Sequence, residues 1–156
     1  MEYPIEEVEK EFFKRTFQLV KTWNNQKPYE VTFLTNCLYG IIIIAQASFY
    51  RSLDFKLSDN IRGVIYKENG NLKEIKTIKV KRLLTIFRNS LSHFGDRRTD
   101  YNNGENNINF ITDNNKIGNI IFNNKNEKVE IFFETSIALF DFICELEKIF
   151  KKKGII

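Results

Sequence analysis

The stretch that most limits how this chain can fold is Cys37 to Ala45, which is apolar almost all round a helix and carries Ile41, Ile42, Ile43 and Ile44 in succession. A helix with no polar face has to be surrounded, by other helices or by lipid. A membrane-spanning helix needs about 20 predominantly apolar residues, whereas Asn36 and Gln46 bracket a run of only nine, and the sequence offers no second candidate. The run is therefore read as the middle of a helical bundle, with a dimer surface on the side that a small bundle leaves uncovered. No membrane partner is expected. Asn24, Asn25 and Pro28 break the pattern ahead of it, and Pro28 suits the first turn of a helix running to about Leu53.

Two further segments supply helices to surround it. From Ile5 to Trp23 a broad stripe of Ile5, Val8, Phe12, Leu19 and Trp23, with Phe13, Phe17 and Val20 beside them, faces away from Glu and Lys. A last helix starts at Thr135 or Ser136, either of which can cap it, and packs through Leu139, Phe142, Ile143, Leu146, Ile149 and Phe150. Lys151, Lys152 and Lys153 fall in its final turn before Gly154, where cations favour the helix terminus; a polybasic tail for lipid or nucleic acid is the alternative. With 156 residues, 42% hydrophobic and 15 of them Phe, the chain can bury one sizeable core, and a single domain over residues 1–156 is expected.

The remaining helical segment, third in chain order, is the best formed. Val80, Leu83, Leu84, Phe87, Leu91 and Phe94 recur at the spacing of one buried face, which places Lys81, Arg82, Thr85, Arg88, Asn89, Ser92 and His93 together opposite. His93 is the sole histidine, four residues after Asn89 and so its neighbour on the helix surface. Gly95 offers a stop just beyond. Lys73 to Arg98 holds eight basic residues against two acidic ones; with a whole-chain net charge of +4, the remainder is slightly acidic. The positive field thus belongs to this helix. Its plainest reading is a solvated basic face whose terminal histidine merely complements the helix dipole.

Residues 54–76 are polar and weakly patterned and are read as a variable connection, although Asn69-Gly70 could turn a short hairpin. Later, Ile108 to Thr112, Ile120 to Phe122 and Val129 to Phe133 are apolar runs separated by NNKIG and NNKNE, the spacing of a small antiparallel meander. Cys37 and Cys144 sit in apolar helical patterns without metal-ligand spacing, so buried reduced thiols are expected rather than a disulfide or zinc site. The acidic start MEYPIEEVEKEF does not resemble a secretory signal. A cytoplasmic protein is the expectation.

Arg88-Asn89-Ser90-Leu91-Ser92-His93 resembles the R-x4-6-H signature, with a polar residue after the arginine, of the HEPN superfamily. The motif spans six residues and ends the third long helix, where that superfamily carries it. The resemblance implies a mainly α fold, a four-helix bundle, with the small antiparallel meander inserted between the third and fourth long helices. It further implies a metal-independent endoribonuclease, active as a homodimer on RNA, needing no cofactor and serving a toxin, anti-phage or anti-plasmid system with an antitoxin or defence partner. Arg88, His93 and Asn89 are the catalytic candidates, and Lys81, Arg82, Ser92, Arg97 and Arg98 are the expected RNA-binding residues. The subgroup silenced by a nucleotidyltransferase carries tyrosine two residues after the histidine; here Gly95 stands there, so that modification is not expected. A non-catalytic RNA- or nucleotide-binding dimer, or a helical interaction module, is the rival reading.

Each candidate suits the chemistry. Cleavage through the neighbouring 2′-hydroxyl needs a base for its proton, an acid for the departing 5′-oxygen and a cation for the phosphate. Imidazole titrates near working pH, and a guanidinium presents a fixed planar charge to two oxygens. One histidine per chain is few for two proton transfers, and two chains around a two-fold axis would bring two.

Overall fold

The computed structural model describes residues 5–24, 30–92, 106–113, 116–124 and 128–156. Within these, the fold is mainly helical with an antiparallel sheet: α1 (Ile5–Lys21), α2 (Glu30–Ser48), β1 (Val64–Glu68), β2 (Asn71–Lys73), α3 (Val80–Ser92), β3 (Asn106–Asp113), β4 (Lys116–Asn124), β5 (Val129–Phe133) and α4 (Ser136–Lys152). Pro28, the expected first turn of α2, lies outside the described residues. That helix ends at Ser48 rather than Leu53, and a short 3-10 turn, Tyr50–Leu53, takes over where Leu53 is drawn into the core.

The apolar run is the core helix of the assembly. Val31, Leu34, Leu38, Ile41, Ile42 and Ala45 are buried, and α2 contacts α1, α3 and α4. By length and composition Glu30–Ala47 could cross a membrane, but three helices already occupy the role lipid would play. Ile43 and Tyr39 remain exposed on its outer side, at 41% and 38%. The α1 stripe is narrower than the sequence suggested. Phe13, Phe17 and Val20 are buried, whereas Val8, Phe12 and Leu19 are largely exposed, because only one flank of the helix is covered by α2 and α4.

The connection expected over residues 54–76 is instead structured. Asn69 and Gly70 have φ of 53° and 78°, the left-handed pair that a two-residue hairpin loop demands and that Asn-Gly accepts at low cost. The loop joins β1 to β2, with Glu68 opposite Asn71. β1 then pairs along its length with β5, so the sheet has five strands in the order β2-β1-β5-β4-β3. Its strands β3 to β5 lie between α3 and α4 in the chain. β4 starts at Lys116, taking in KIG residues that looked like a separator.

One core joins helices and sheet. Phe87 of α3 stands edge-on to Phe122 of β4 at 4.7 Å and to Phe142 of α4 at 5.3 Å, and Phe133 of β5 packs on all three. Phe13, Phe17 and Phe150 form a second aromatic group between α1 and α4. Thr135 caps α4, its Oγ1 accepting from the Ala138 amide at 3.1 Å. Cys37 is buried and Cys144 half-buried, both as free thiols that burial pushes above the usual cysteine range.

Among the described residues, Glu147 is the one acidic side chain found buried, at 8% exposure. Its Oε1 takes Lys21 Nζ at 2.8 Å and Lys151 Nζ at 3.0 Å. Burial opposes its ionisation, but the hydrogen bonds and charge of the two lysines outweigh that and hold the carboxyl below the ordinary glutamate range. A depressed folded value gives stability that is complete above the unfolded value and disappears as pH falls through the folded one. Chemical denaturation at about pH 6 and about pH 3 should therefore show a larger loss for the wild type than for Glu147→Gln; equal losses would show that the cluster does not contribute.

Candidate functional site

α3 owes its position to contacts on two sides, since it packs on α2 and on β3 and β4. A single stripe does not suffice for that, and among the described side chains Val80, Leu83, Leu84, Ile86, Phe87 and Ser90 are buried. Ser90, inside the R-x4-H motif, is fully buried. Its hydroxyl lies 2.9 Å from the Ile86 carbonyl and 3.1 Å from the Asn123 carbonyl of β4, so it can donate to one of them at a time. A side chain this small lets the sheet approach the helix closely, a role that the helical spacing gave no means of finding.

The remaining face carries the candidates. Arg88 is exposed, and its guanidinium donates from Nη2 to Asn89 Oδ1 at 3.1 Å, with Nε at 3.4 Å. The amide oxygen thus holds the planar cation by one edge and leaves other N–H groups available for a phosphate. Asn89 is half-buried beside it. His93, Arg97 and Arg98 lie outside the described residues, as does Gly95; Ser92 is the last residue of α3.

Lys81 and Arg82 are less open than a solvated face implies. Lys81 Nζ is 3.3 Å from Asp54 Oδ1, which also takes Lys79 Nζ at 2.7 Å. Those two lysines hold the Asp54 carboxyl below its usual range, the hydrogen bond from Lys79 first. Arg82 Nη2 lies 3.9 Å from Glu68 Oε1, a carboxylate that Lys73 meets at 2.6 Å. Each acid therefore serves two cations and leaves a positive excess. The helix is also tied to α2: Gln46 Nε2 donates to Thr85 Oγ1 at 3.2 Å, and Thr85 in turn donates to the Lys81 carbonyl at 2.8 Å. Among the described residues there is no group of three or more His, Cys, Asp or Glu that could hold a metal ion.

The arrangement offers a fixed, solvent-facing guanidinium at the C-terminal end of a basic helix, with a hydrogen-bonding amide beside it. It suits an anionic, phosphate-bearing ligand. No curated protein and no solved structure matches the chain. A family model, HEPN pEK499 p136, matches residues 1–153, which takes in the whole of the helical and sheet framework together with the R-x4-H segment. HEPN domains are generally ribonuclease-like, and this chain belongs to the HEPN pEK499 p136 family.

Proposed function

We propose that the protein is a metal-independent endoribonuclease, acting as a homodimer in the cytoplasm as part of a toxin or of an anti-phage or anti-plasmid defence system. The observation that carries this reading is the exposed Arg88 guanidinium fixed by Asn89, five residues before the sole histidine of a HEPN-family chain. In this mechanism His93 removes the proton of a 2′-hydroxyl and the freed oxygen attacks the adjacent phosphorus. Arg88 stabilises the charge that gathers on the non-bridging oxygens. The bond from phosphorus to the 5′-oxygen breaks, and that oxygen leaves with a proton from an acid, for which the second chain's His93 is the candidate. The products are a 2′,3′-cyclic phosphate and a 5′-hydroxyl.

Purified protein should cut labelled RNA in excess EDTA and leave cyclic or 3′-phosphate ends. Loss of cleavage on chelation with recovery on adding magnesium would end the metal-independent mechanism. The shared site is tested by a heterodimer of one His93→Ala chain and one Arg88→Ala chain, isolated through two tags. Its activity should differ from the summed activities of the two mutant homodimers, because contributions within one site are not additive. Full activity from a protein that sediments as a monomer at assay concentration would remove the composite site.

A further inference from the structure

A second basic surface lies at the opposite end of α3 from Arg88, and it is assembled from three parts of the chain. Its hub is the segment Asp54-Phe55-Lys56. Lys56 pairs with Lys79 in an isolated antiparallel bridge, and the Val80 amide donates to the Phe55 carbonyl at 2.7 Å, which lays the segment along the first turn of the helix. Lys79 and Lys81 share Asp54. From the other side comes the end of α4, where Lys153 Nζ stands 5.4 Å from the centre of the Phe55 ring. Asp54 therefore takes Lys79 and Lys81, while Lys56 is bridged to Lys79 through the backbone and Lys153 reaches the ring of Phe55, so that four lysines converge on one short segment.

Lys153 is held there by the backbone. The Ile155 amide donates to the Phe150 carbonyl at 2.9 Å and the Gly154 amide to the Lys151 carbonyl at 3.1 Å, the paired bonds of a Schellman cap, with Gly154 at φ 73° and Ile155 buried. A lysine on a capped terminus is a fixed feature of the surface, unlike a charge on a fraying tail. Tyr50, at the head of the turn that leads into Asp54, is 45% exposed. Cations together with an accessible aromatic ring on the same short stretch of chain, here Tyr50, are what an unpaired nucleic acid strand uses, phosphates on the one and base faces on the other. An anionic lipid surface would use the same charge, and the reading of the motif helix as part of a ribonuclease favours the strand.

We propose that this surface, built from Tyr50, Phe55, Lys56, Lys79, Lys81 and Lys153, is a docking site for a single strand of RNA, which holds the substrate some distance from the point of cleavage. Lys81 and Arg88 are seven residues apart, about two turns or roughly 10 Å along α3, so a strand leaving Arg88 along the helix reaches the surface within a few nucleotides. The inference rests on RNA being the substrate class. It adds residues from elements other than the motif helix, among them Lys56 and Lys153.

Binding of a fluorescent 2′-O-methyl RNA decamer tests this by anisotropy at several salt concentrations. That probe has no 2′-hydroxyl, so binding is read apart from cleavage. Lys56→Gln with Lys153→Gln should weaken binding at least fivefold and reduce the slope of log affinity against log salt by about 1.4, since each phosphate neutralised on a single strand contributes about 0.7. Tyr50→Ala should weaken binding of the single strand at least fivefold and leave binding of a duplex of the same sequence unaltered. Both lysines are exposed, and the single variants, each expected to remove about 0.7 from the slope, decide the matter if the double variant melts early. Unchanged affinity and slope in folded variants would overturn the proposal while leaving the ribonuclease reading standing. Lysine-dependent binding to phosphatidylserine vesicles without binding to the decamer would overturn it in favour of a membrane surface. If the variants behave as expected and the wild type cuts no RNA, the cleavage mechanism fails and the docking site remains.

Discussion

His93→Ala is expected to abolish RNA cleavage, lowering the rate by about 10²- to 10⁴-fold, the usual loss when a general acid or base is removed. If both chains of a dimer contribute the group, the effect falls at the upper end. Arg88→Ala should cost on the order of 10²- to 10³-fold, the scale for deleting one donor to a developing oxyanion. Arg88 is exposed and its guanidinium bonds to the adjacent Asn89, so its removal leaves the core undisturbed and circular dichroism should hardly change. Arg88→Lys is a sharper test. Lysine keeps the charge but cannot be held by one edge while presenting another to phosphate, and it should restore little of the activity. Wild-type rates in folded Arg88→Ala and His93→Ala proteins would withdraw the catalytic assignment and leave a binding module. Unfolding of both would make these residues structural instead.

Phe87→Ala is expected to have the largest effect on stability. The ring is fully buried and sits among Phe122, Phe133 and Phe142, which come from β4, β5 and α4. Truncating such a ring costs about 3–5 kcal/mol through lost transfer energy and the cavity left behind, out of a total of about 5–15 kcal/mol for a typical domain. For a chain of this length that corresponds to a melting temperature lower by roughly 10 °C, or to failure to fold. Since Phe87 immediately precedes Arg88, the variant should also lose activity through misplacement of the helix. Phe87→Leu, which refills part of the volume, should recover most of the stability. A loss below about 1 kcal/mol for the alanine variant would mean that the four-ring cluster does not anchor α3.

Three of the four long helices were legible from periodicity, because a stripe repeated every 3.6 residues leaves few alternatives, and α2 from its unbroken apolar run. α4 starts at the expected cap, and the run around Ile41 to Ile44 forms the core helix that its missing polar face required. The R-x4-H motif was legible as a string, and its place at the end of α3 followed from the same pattern. Arg88 and Asn89 could be named as neighbours, since adjacency on a helix is a local property.

What depended on residues far apart in the chain was decided only by the tertiary structure. The Asn69-Gly70 hairpin was readable as a turn, yet its value lies in β1 finding β5 across sixty intervening residues, a pairing that no local pattern encodes. Sandwiching α3 between α2 and the sheet buried Ile86 and Ser90 beyond its obvious stripe. It also brought Asp54 and Glu68 against Lys81 and Arg82, which turned an apparently solvated face into paired charges. Lys153 and Phe55 meet although almost a hundred residues separate them. Sequence by itself determined which segments are helical and where the motif sits, since both follow from intervals of a few residues. Which faces are covered, which charges are shared and how Lys153 comes to lie on Phe55 came from packing, because burial and Coulomb attraction act through space rather than along the chain.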